Sequence, residues 1–333
     1  MTASRHVSVM CAQVITALSP RSGGVYVDGT FGGGGYTRAL LDTPGTRIVA
    51  LDRDPAALAR GATLAGEAQG RLTLVHCRFS QMEAAARDLD LAAVDGVALD
   101  LGLSSDQLDD AGRGFSFMAD GPLDMRMGAE GPSAADLVNG LAEDRLADVI
   151  YAYGEERRSR AIARAIVSAR NTAPIARTSE LADVVTAAVG RRGSDKIHPA
   201  TRTFQALRIA VNDELGELAR GLAAAERLLA PAGRLAVVAF HSLEDRIVKR
   251  FFASRVAEMR APSRHQPAPA PGPAASFRVL TRGVQTPDDA EISANPRARS
   301  AKLRSAERTA SPPHTLVLSN LGLPPIVLNG ALS

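Results

Sequence analysis

The chain contains no tryptophan, and aromatic residues make up only 4% of its 333 positions. Broad aromatic platforms that stack several bases are therefore excluded, and any nucleic-acid contact must rest on basic side chains and one shaped pocket. Cysteine is equally scarce: Cys11 and Cys77 match no metal-ligand spacing and are too few for a disulfide framework, which reads them as buried free thiols in a reducing compartment. A dominant charge is missing as well, since 39 Lys plus Arg against 36 Asp plus Glu leave a net charge of only +3. No global basic field announces a polyanion, so local clustering must carry that argument. No apolar run approaches membrane-spanning length, and Met1 to Pro20 lacks the basic head, apolar centre and small-residue cleavage site of a signal peptide. A cytoplasmic protein without a membrane anchor is expected.

Against these absences stands a glycine-rich segment, Val25-Tyr-Val-Asp-Gly-Thr-Phe-Gly-Gly-Gly-Gly-Tyr36, followed by Ile48-Val-Ala-Leu-Asp52. Val25 to Val27 read as a short buried strand, and the glycines let the backbone turn tightly and approach a ligand. A helix from Tyr36 through Leu41 would point its first amides at that ligand. Asp52 ends the second apolar run about twenty residues beyond the glycines, where a carboxylate accepts hydrogen bonds from ribose hydroxyls. Two adenosine cofactors suit this arrangement. Gly32 to Gly35 are contiguous rather than spaced G-x-G-x-x-G, and Asp28 leads the loop off its strand. A carboxylate there repels a pyrophosphate and attracts the sulfonium and amino groups of S-adenosylmethionine, which is favoured over a nicotinamide dinucleotide.

Leu72 to His76 and Gly96 to Asp100 read as a third and fourth strand with a helix over Met82 to Leu89 between them, so strands alternate with helices as in a parallel sheet covered on both faces. A long amphipathic pattern from Thr203 to Leu229, a break at Ala230-Pro-Ala-Gly233 and a strand from Arg234 to Phe240 follow much later. The stretch from Leu101 to Ala200 far exceeds a crossover and reads as an inserted domain, with helical periods at Ala134 to Leu141, Glu143 to Tyr153, Arg157 to Ala169 and Ser179 to Val189. The expected division is 1–105 and 201–310 for an α/β domain, 106–200 for the helical insertion and 311–333 for a tail. The Pro/Ala-rich stretch 261–275 reads as a loop, and Phe277 to Leu280 and Lys302 to Arg308 as edge strands.

Ligands of a doubly wound sheet collect beyond the carboxyl ends of its strands. Asp28, Asp52, Phe79, Asp100 and His241 each follow an expected strand, with Gln107 a few residues past Asp100. Asp100 could equally be a turn residue and His241 a structural one. The histidines have no metal-ligand spacing, and no metal is expected. Basic residues cluster at Arg157 to Arg160, at Arg191 through Lys196, His198, Arg202 and Arg208, and at Arg297 to Arg304; the first follows two glutamates, so the second and third are the stronger phosphate candidates.

The segments Leu51-Asp-Arg-Asp-Pro55, Leu99-Asp-Leu-Gly-Leu-Ser-Ser105, Arg113-Gly-Phe-Ser-Phe-Met118, Gly121-Pro-Leu-Asp-Met-Arg-Met127, Tyr153-Gly-Glu-Glu-Arg157, His198-Pro-Ala-Thr-Arg-Thr-Phe-Gln205, Phe240-His-Ser-Leu-Glu-Asp-Arg246 and Asn295-Pro-Arg-Ala-Arg-Ser300, with the glycine segment, closely resemble the RsmH (MraW) family. That resemblance spans about His6 to Thr309 and implies a class I methyltransferase fold, a mostly parallel seven-stranded sheet with an inserted helical domain. It implies methyl transfer from S-adenosylmethionine to the exocyclic N4 of a cytidine in the decoding region of 16S ribosomal RNA, within the small subunit. It further implies that Gly34, Gly35, Tyr36, Asp52, Phe79, Asp100 and Gln107 line the cofactor site; Tyr36 replaces the family's usual His. Asp100 and His241 are the candidate proton acceptors, and Lys196, His198, Arg202 and Arg208 the candidate RNA contacts. A dehydrogenase and a non-catalytic assembly factor remain the alternatives, and the oligomeric state is left open.

Overall fold

The computed structural model describes residues 8–128, 130–190, 197–256, 273–281, 283–324 and 326. They form two compact units, one running to Gly102 and resuming from Gly216 to Leu323, the other Leu103–Leu215 with Ile326 packed on its core.

The first unit is built on a seven-stranded sheet: β1 (Val25–Asp28), β2 (Arg47–Asp52), β3 (Leu72–His76), β4 (Val94–Asp100), β5 (Leu229–Ala239), β6 (Phe277–Val279) and β7 (Lys302–Arg308), in the spatial order β3-β2-β1-β4-β5-β7-β6. β1 through β5 pair in parallel, and β7 runs antiparallel to both β5 and β6. β1 is buried throughout and β4 nearly so, as expected of parallel strands covered on both faces, whose sequences lack polar alternation. Helices α1 (Cys11–Leu18), α2 (Gly35–Leu41), α3 (Pro55–Glu67), α4 (Met82–Asp88), α11 (Glu214–Leu228), α12 (Ser242–Ala253), α13 (Asp289–Ala294) and α14 (Leu318–Leu321) accompany the sheet. Successive connections step outward from β1 through β2 to β3 and, from β4, through β5 on the other side. The reversal places a crevice at the carboxyl ends of β1 and β4, where such sheets bind ligands.

Two details depart from the sequence-based expectation. The pattern from Thr203 to Leu229 is not one helix but α10 (Thr201–Asn212) and α11, separated by Asp213 in the left-handed conformation at φ 50°. Asn212 accounts for the break. Its buried amide donates to the Met125 carbonyl and its oxygen accepts from the Met127 N–H, bonds that hold the last turn of α10 in place. The break expected at Ala230 to Gly233 lies inside β5, which pairs Leu229 with Val94 and then Arg234 with Gly96, so the intervening residues bulge from the register, with Ala232 at φ 66°.

The second unit consists of α5 (Ser105–Asp109), α6 (Ala134–Gly140), α7 (Glu143–Gly154), α8 (Ser159–Arg170), α9 (Thr178–Val189) and α10 around a core that includes Leu137, Leu146, Ile150, Ile162, Ile166, Leu181 and Leu207. α7 packs on both α8 and α10, and a Cβ at Gly154 would meet the Arg202 carbonyl at 2.5 Å, so glycine permits that close crossing. The expected boundary at 200/201 therefore falls before a helix that this unit retains: Phe204, Ala206 and Leu207 of α10 face its core. Among the described residues no helix is long and apolar enough to cross a membrane.

Within the sheet unit, buried Glu226 accepts hydrogen bonds from Arg255 Nε at 3.1 Å, Ser276 Oγ at 2.6 Å and the His314 N–H at 3.0 Å, while Arg308 Nε donates to the Glu226 carbonyl. Arg255 also covers the Phe251 ring at 4.2 Å, and Phe251, Phe252 and Phe277 pack together. The Pro/Ala-rich stretch 261–275 lies outside the described residues up to position 272, but its flanks meet: the N–H groups of Ser276 and Phe277 donate to the Arg255 carbonyl.

Candidate active site

The glycine loop is sewn to the strands on either side of β1. Gly29 N–H donates to the Ala98 carbonyl and the Asp100 N–H to Thr30 Oγ1, which tie it to β4. Phe31 N–H donates to the Leu51 carbonyl and Gly32 N–H to Asp52 Oδ2 at 2.8 Å, which tie it to β2. The other oxygen of Asp52 accepts from the Asp54 N–H at 2.8 Å, so this acid both faces the crevice and fixes the loop. Phe31 fills the space beneath: a Cβ on Gly34 would strike its ring at 2.8 Å and one on Gly61 at 2.6 Å. Gly34 itself turns at φ 74°, where a side chain would be strained, and a Cβ on Gly35 would collide with Ser8 at 2.0 Å. The contiguous glycines thus serve two purposes, one conformational and one of close packing.

Three carboxylates gather at the carboxyl ends of β1, β2 and β4. Asp28 is buried, accepts from Thr37 Oγ1 at 2.7 Å and the Thr30 N–H at 3.3 Å, and is pushed up to about 6, chiefly by burial. Asp100 is pushed up to about 7, again chiefly by burial; the Gly102 N–H at 3.2 Å opposes the rise, and the charge of Asp28 adds to it. Burial also raises Asp52, against the two amide bonds it accepts. Raised acids beside one another at the ends of three strands mark a candidate functional site.

Of the remaining residues expected in the site, Tyr36 is buried, with its hydroxyl 2.5 Å from the Val9 carbonyl and within hydrogen-bonding influence of Asp100. Its side chain thus packs into the core of the sheet unit. Phe79 opens the 3-10 turn Phe79–Gln81, and its ring lies so close to Gly221 that a Cβ there would come within 2.3 Å. Gln107 belongs to the helical unit, where it forms a capping box with Ser104. His241 caps α12: its Nδ1 accepts from the Glu244 N–H, and Nε2 lies 3.0 Å from Glu244 Oε1. One ring nitrogen of His241 thus caps a helix, whereas Nε2 is buried with no hydrogen-bond partner among the described residues.

The expected RNA contacts are also engaged. His198 stacks on Phe117 with ring centroids 4.6 Å apart and accepts from the Ala200 N–H. Arg202 pairs with Glu156 at 3.6 Å, and partly buried Arg208 makes a fork of two 2.8 Å bonds to Glu214. In the third cluster Lys302 and Arg304 both reach Asp245. Lys196, with Arg191 and Arg192, lies outside the described residues. Sequence reasoning missed Thr30, Thr37 and Phe31, for hydroxyl and ring partners one strand away leave no local signal.

The MraW methylase family model matches residues 3–309 of this chain. Curated relatives named Ribosomal RNA small subunit methyltransferase H match all or nearly all of it: that of Parvibaculum lavamentivorans is 57% identical over 100% of this chain and 98% of its own. The protein of the same name from Methylorubrum populi is 58% identical over 96% of this chain and 93% of its own, and that from Paramagnetospirillum magneticum 58% identical over 94% and 98%. Matched along nearly its full length by both kinds of comparison, this chain belongs to the MraW methylase family.

Proposed function

We propose that this protein transfers a methyl group from S-adenosylmethionine to the exocyclic N4 of a cytidine in the decoding region of 16S ribosomal RNA. The observation that carries the reading is the trio Asp28, Asp52 and Asp100 around a glycine loop bound to both neighbouring strands, in a member of a methylase family. Between the two cofactors the loop admits, family membership and the carboxylates at the strand ends both favour the cationic one. Gly34 and Gly35 offer a backbone surface without side chains, Asp52 has lone pairs left for ribose hydroxyls, and Phe79 remains a candidate for the adenine end. Bound there, S-adenosylmethionine supplies an electrophilic methyl group.

Cytosine N4 is a weak nucleophile because its lone pair is delocalised into the ring, so the protein must align it and accept a proton as the bond forms. Asp100 is the proposed acceptor: a carboxyl held near 7 is matched to proton transfer at neutral pH. His241, expected as the alternative, is assigned to capping α12. The substrate is proposed to be ribosomal RNA within the small subunit, in the cytoplasm. Radiolabelled methyl transfer to small subunits lacking the modification, followed by nucleoside analysis, tests the proposal. Label in N4-methylcytidine supports it, and label elsewhere or none removes it.

A further inference from the structure

Positive charge can meet a phosphate only if the fold has not already neutralised it. In the helical unit Arg164 pairs with Glu143 at 3.7 Å, Arg158 donates to the Val189 carbonyl, and Arg202 and Arg208 are held by Glu156 and Glu214. Arg157 and Arg160 are exposed and have no acidic partner among the described residues. Glu156 is unavailable to them, because it also accepts from the Arg158 N–H at 2.8 Å. Hence the cluster that follows two glutamates in sequence keeps two free cations in the fold.

Those two arginines border a hollow of about 470 Å³ at the corner between α7 and α8, together with Asp148 and Tyr151 of α7. Asp148 and Tyr151 stand three residues apart and so share one helix face. Tyr151 is 61% exposed, whereas Tyr26 and Tyr36 are buried and Tyr153, the fourth tyrosine, is partly buried. A lone aromatic ring in solvent beside unpaired guanidinium groups offers a stacking face and phosphate donors within one concavity. Asp148 adds an acceptor for an exocyclic amino group of a base. An acidic peptide would satisfy the arginines but meet Asp148 as a like charge; a nucleotide satisfies all of these groups.

We propose that this hollow holds one unstacked nucleotide of single-stranded RNA outside the methylated cytidine, its base on the Tyr151 ring and its flanking phosphates on Arg157 and Arg160. The inference rests on the ribosomal-RNA reading above and adds a second point of contact to it. Nitration with tetranitromethane, mapped by peptide mass, should modify Tyr151 in the free protein, and a short single-stranded oligoribonucleotide should protect it. Tyr151→Ala should weaken binding of that oligonucleotide about tenfold, with Tyr151→Phe restoring it. Changing Arg157 and Arg160 together to Ala should lower the slope of log K against log salt by about 1.4. Each variant should keep the parent's helical circular dichroism and thermal unfolding, which certifies the fold of the helical unit, and should bind S-adenosylmethionine as the parent does. Unprotected Tyr151, or variants with unchanged affinity and salt slope, would overturn the proposal. Protection of Tyr151 only by protein components of an assembled subunit would do the same by giving the hollow to another partner. The active-site reading fails separately, if the unaltered protein transfers no methyl group to ribosomal RNA.

Discussion

Asp28 and Asp100 are acids whose surroundings favour the protonated form, and that has a direct consequence for cofactor affinity. Burial raises both; the charge of Asp52 adds to the rise at Asp28, and those of Asp28 and Glu244 to the rise at Asp100, while the hydrogen bonds from Thr37, Thr30 and Gly102 only moderate it. Below about 6 both carboxyls are largely protonated, and above about 7 both are charged. A sulfonium cation is therefore bound more tightly as pH rises through this window, whereas the neutral thioether left after methyl transfer lacks that attraction. Calorimetry from pH 5.5 to 8 should show the ratio of S-adenosylmethionine to S-adenosylhomocysteine affinity increasing with pH; a flat ratio would place the positive sulfur elsewhere. The single-turnover methylation rate at saturating cofactor should also rise with pH and level off, its midpoint below about 7 because the bound sulfonium favours the charged carboxyl, and Asp100→Asn should abolish that dependence. Asp52 plays a double part at the same scale. Asp52→Ala should weaken S-adenosylmethionine binding by about 1.5–3 kcal/mol by removing charge-assisted bonds to the ribose, and the Gly32 and Asp54 amides would lose their acceptor too. Asp52→Asn, which keeps an acceptor, should lose less in the same titration.

At the level of single elements, α12 and α10 show how residues singled out in the sequence also serve the architecture. His241 begins α12 and accepts from its third N–H, so His241→Ala should lower stability by about 0.5–2 kcal/mol, the cost of a lost helix cap. Denaturant unfolding measures this, and the single-turnover rate should stay within a small factor of the parent. A hundredfold slower rate with intact cofactor binding would instead make the imidazole a participant in proton transfer. In α10, Arg208 joins Glu214 across the left-handed Asp213, with both side chains largely buried. Arg208→Ala leaves a buried carboxylate without its partner and should cost about 1–3 kcal/mol, while the salt dependence of RNA binding stays as it was. A reduced salt slope without loss of stability would return Arg208 to the RNA contacts.

On the scale of the whole molecule, two units with separate apolar cores divide the work, the sheet unit holding the carboxylate crevice and the helical unit the exposed arginine hollow. Ile150 lies deep in the helical core. Ile150→Ala should cost about 2–5 kcal/mol, read by hydrogen exchange as faster opening across the helices from Ala134 to Asn212. Amides of β1, β2 and β4 should keep their protection, and S-adenosylmethionine its affinity. Equal loss of protection in both units would mean that the chain unfolds as one cooperative block.

What the sequence determined alone was the set of buried parallel strands and the loop beside them. Val25 to Val27 and Gly96 to Asp100 are short apolar runs whose pattern needs no partner to be read, and the glycines with Asp52 mark a crevice because backbone freedom and strand ends are local properties. The inserted helices were legible for the same reason, from apolar residues at three- and four-residue steps. Only the tertiary structure decided where α10 ends, because the buried amide of Asn212 answers backbone groups some 85 residues away. It also decided that His241 caps a helix and which arginines remain free. Glu156 precedes Arg157 in sequence yet faces Arg202, and Asp245 neutralises Lys302 and Arg304 from a different element. Charge pairing is set by distance through space, and a sequence records distance only along the chain.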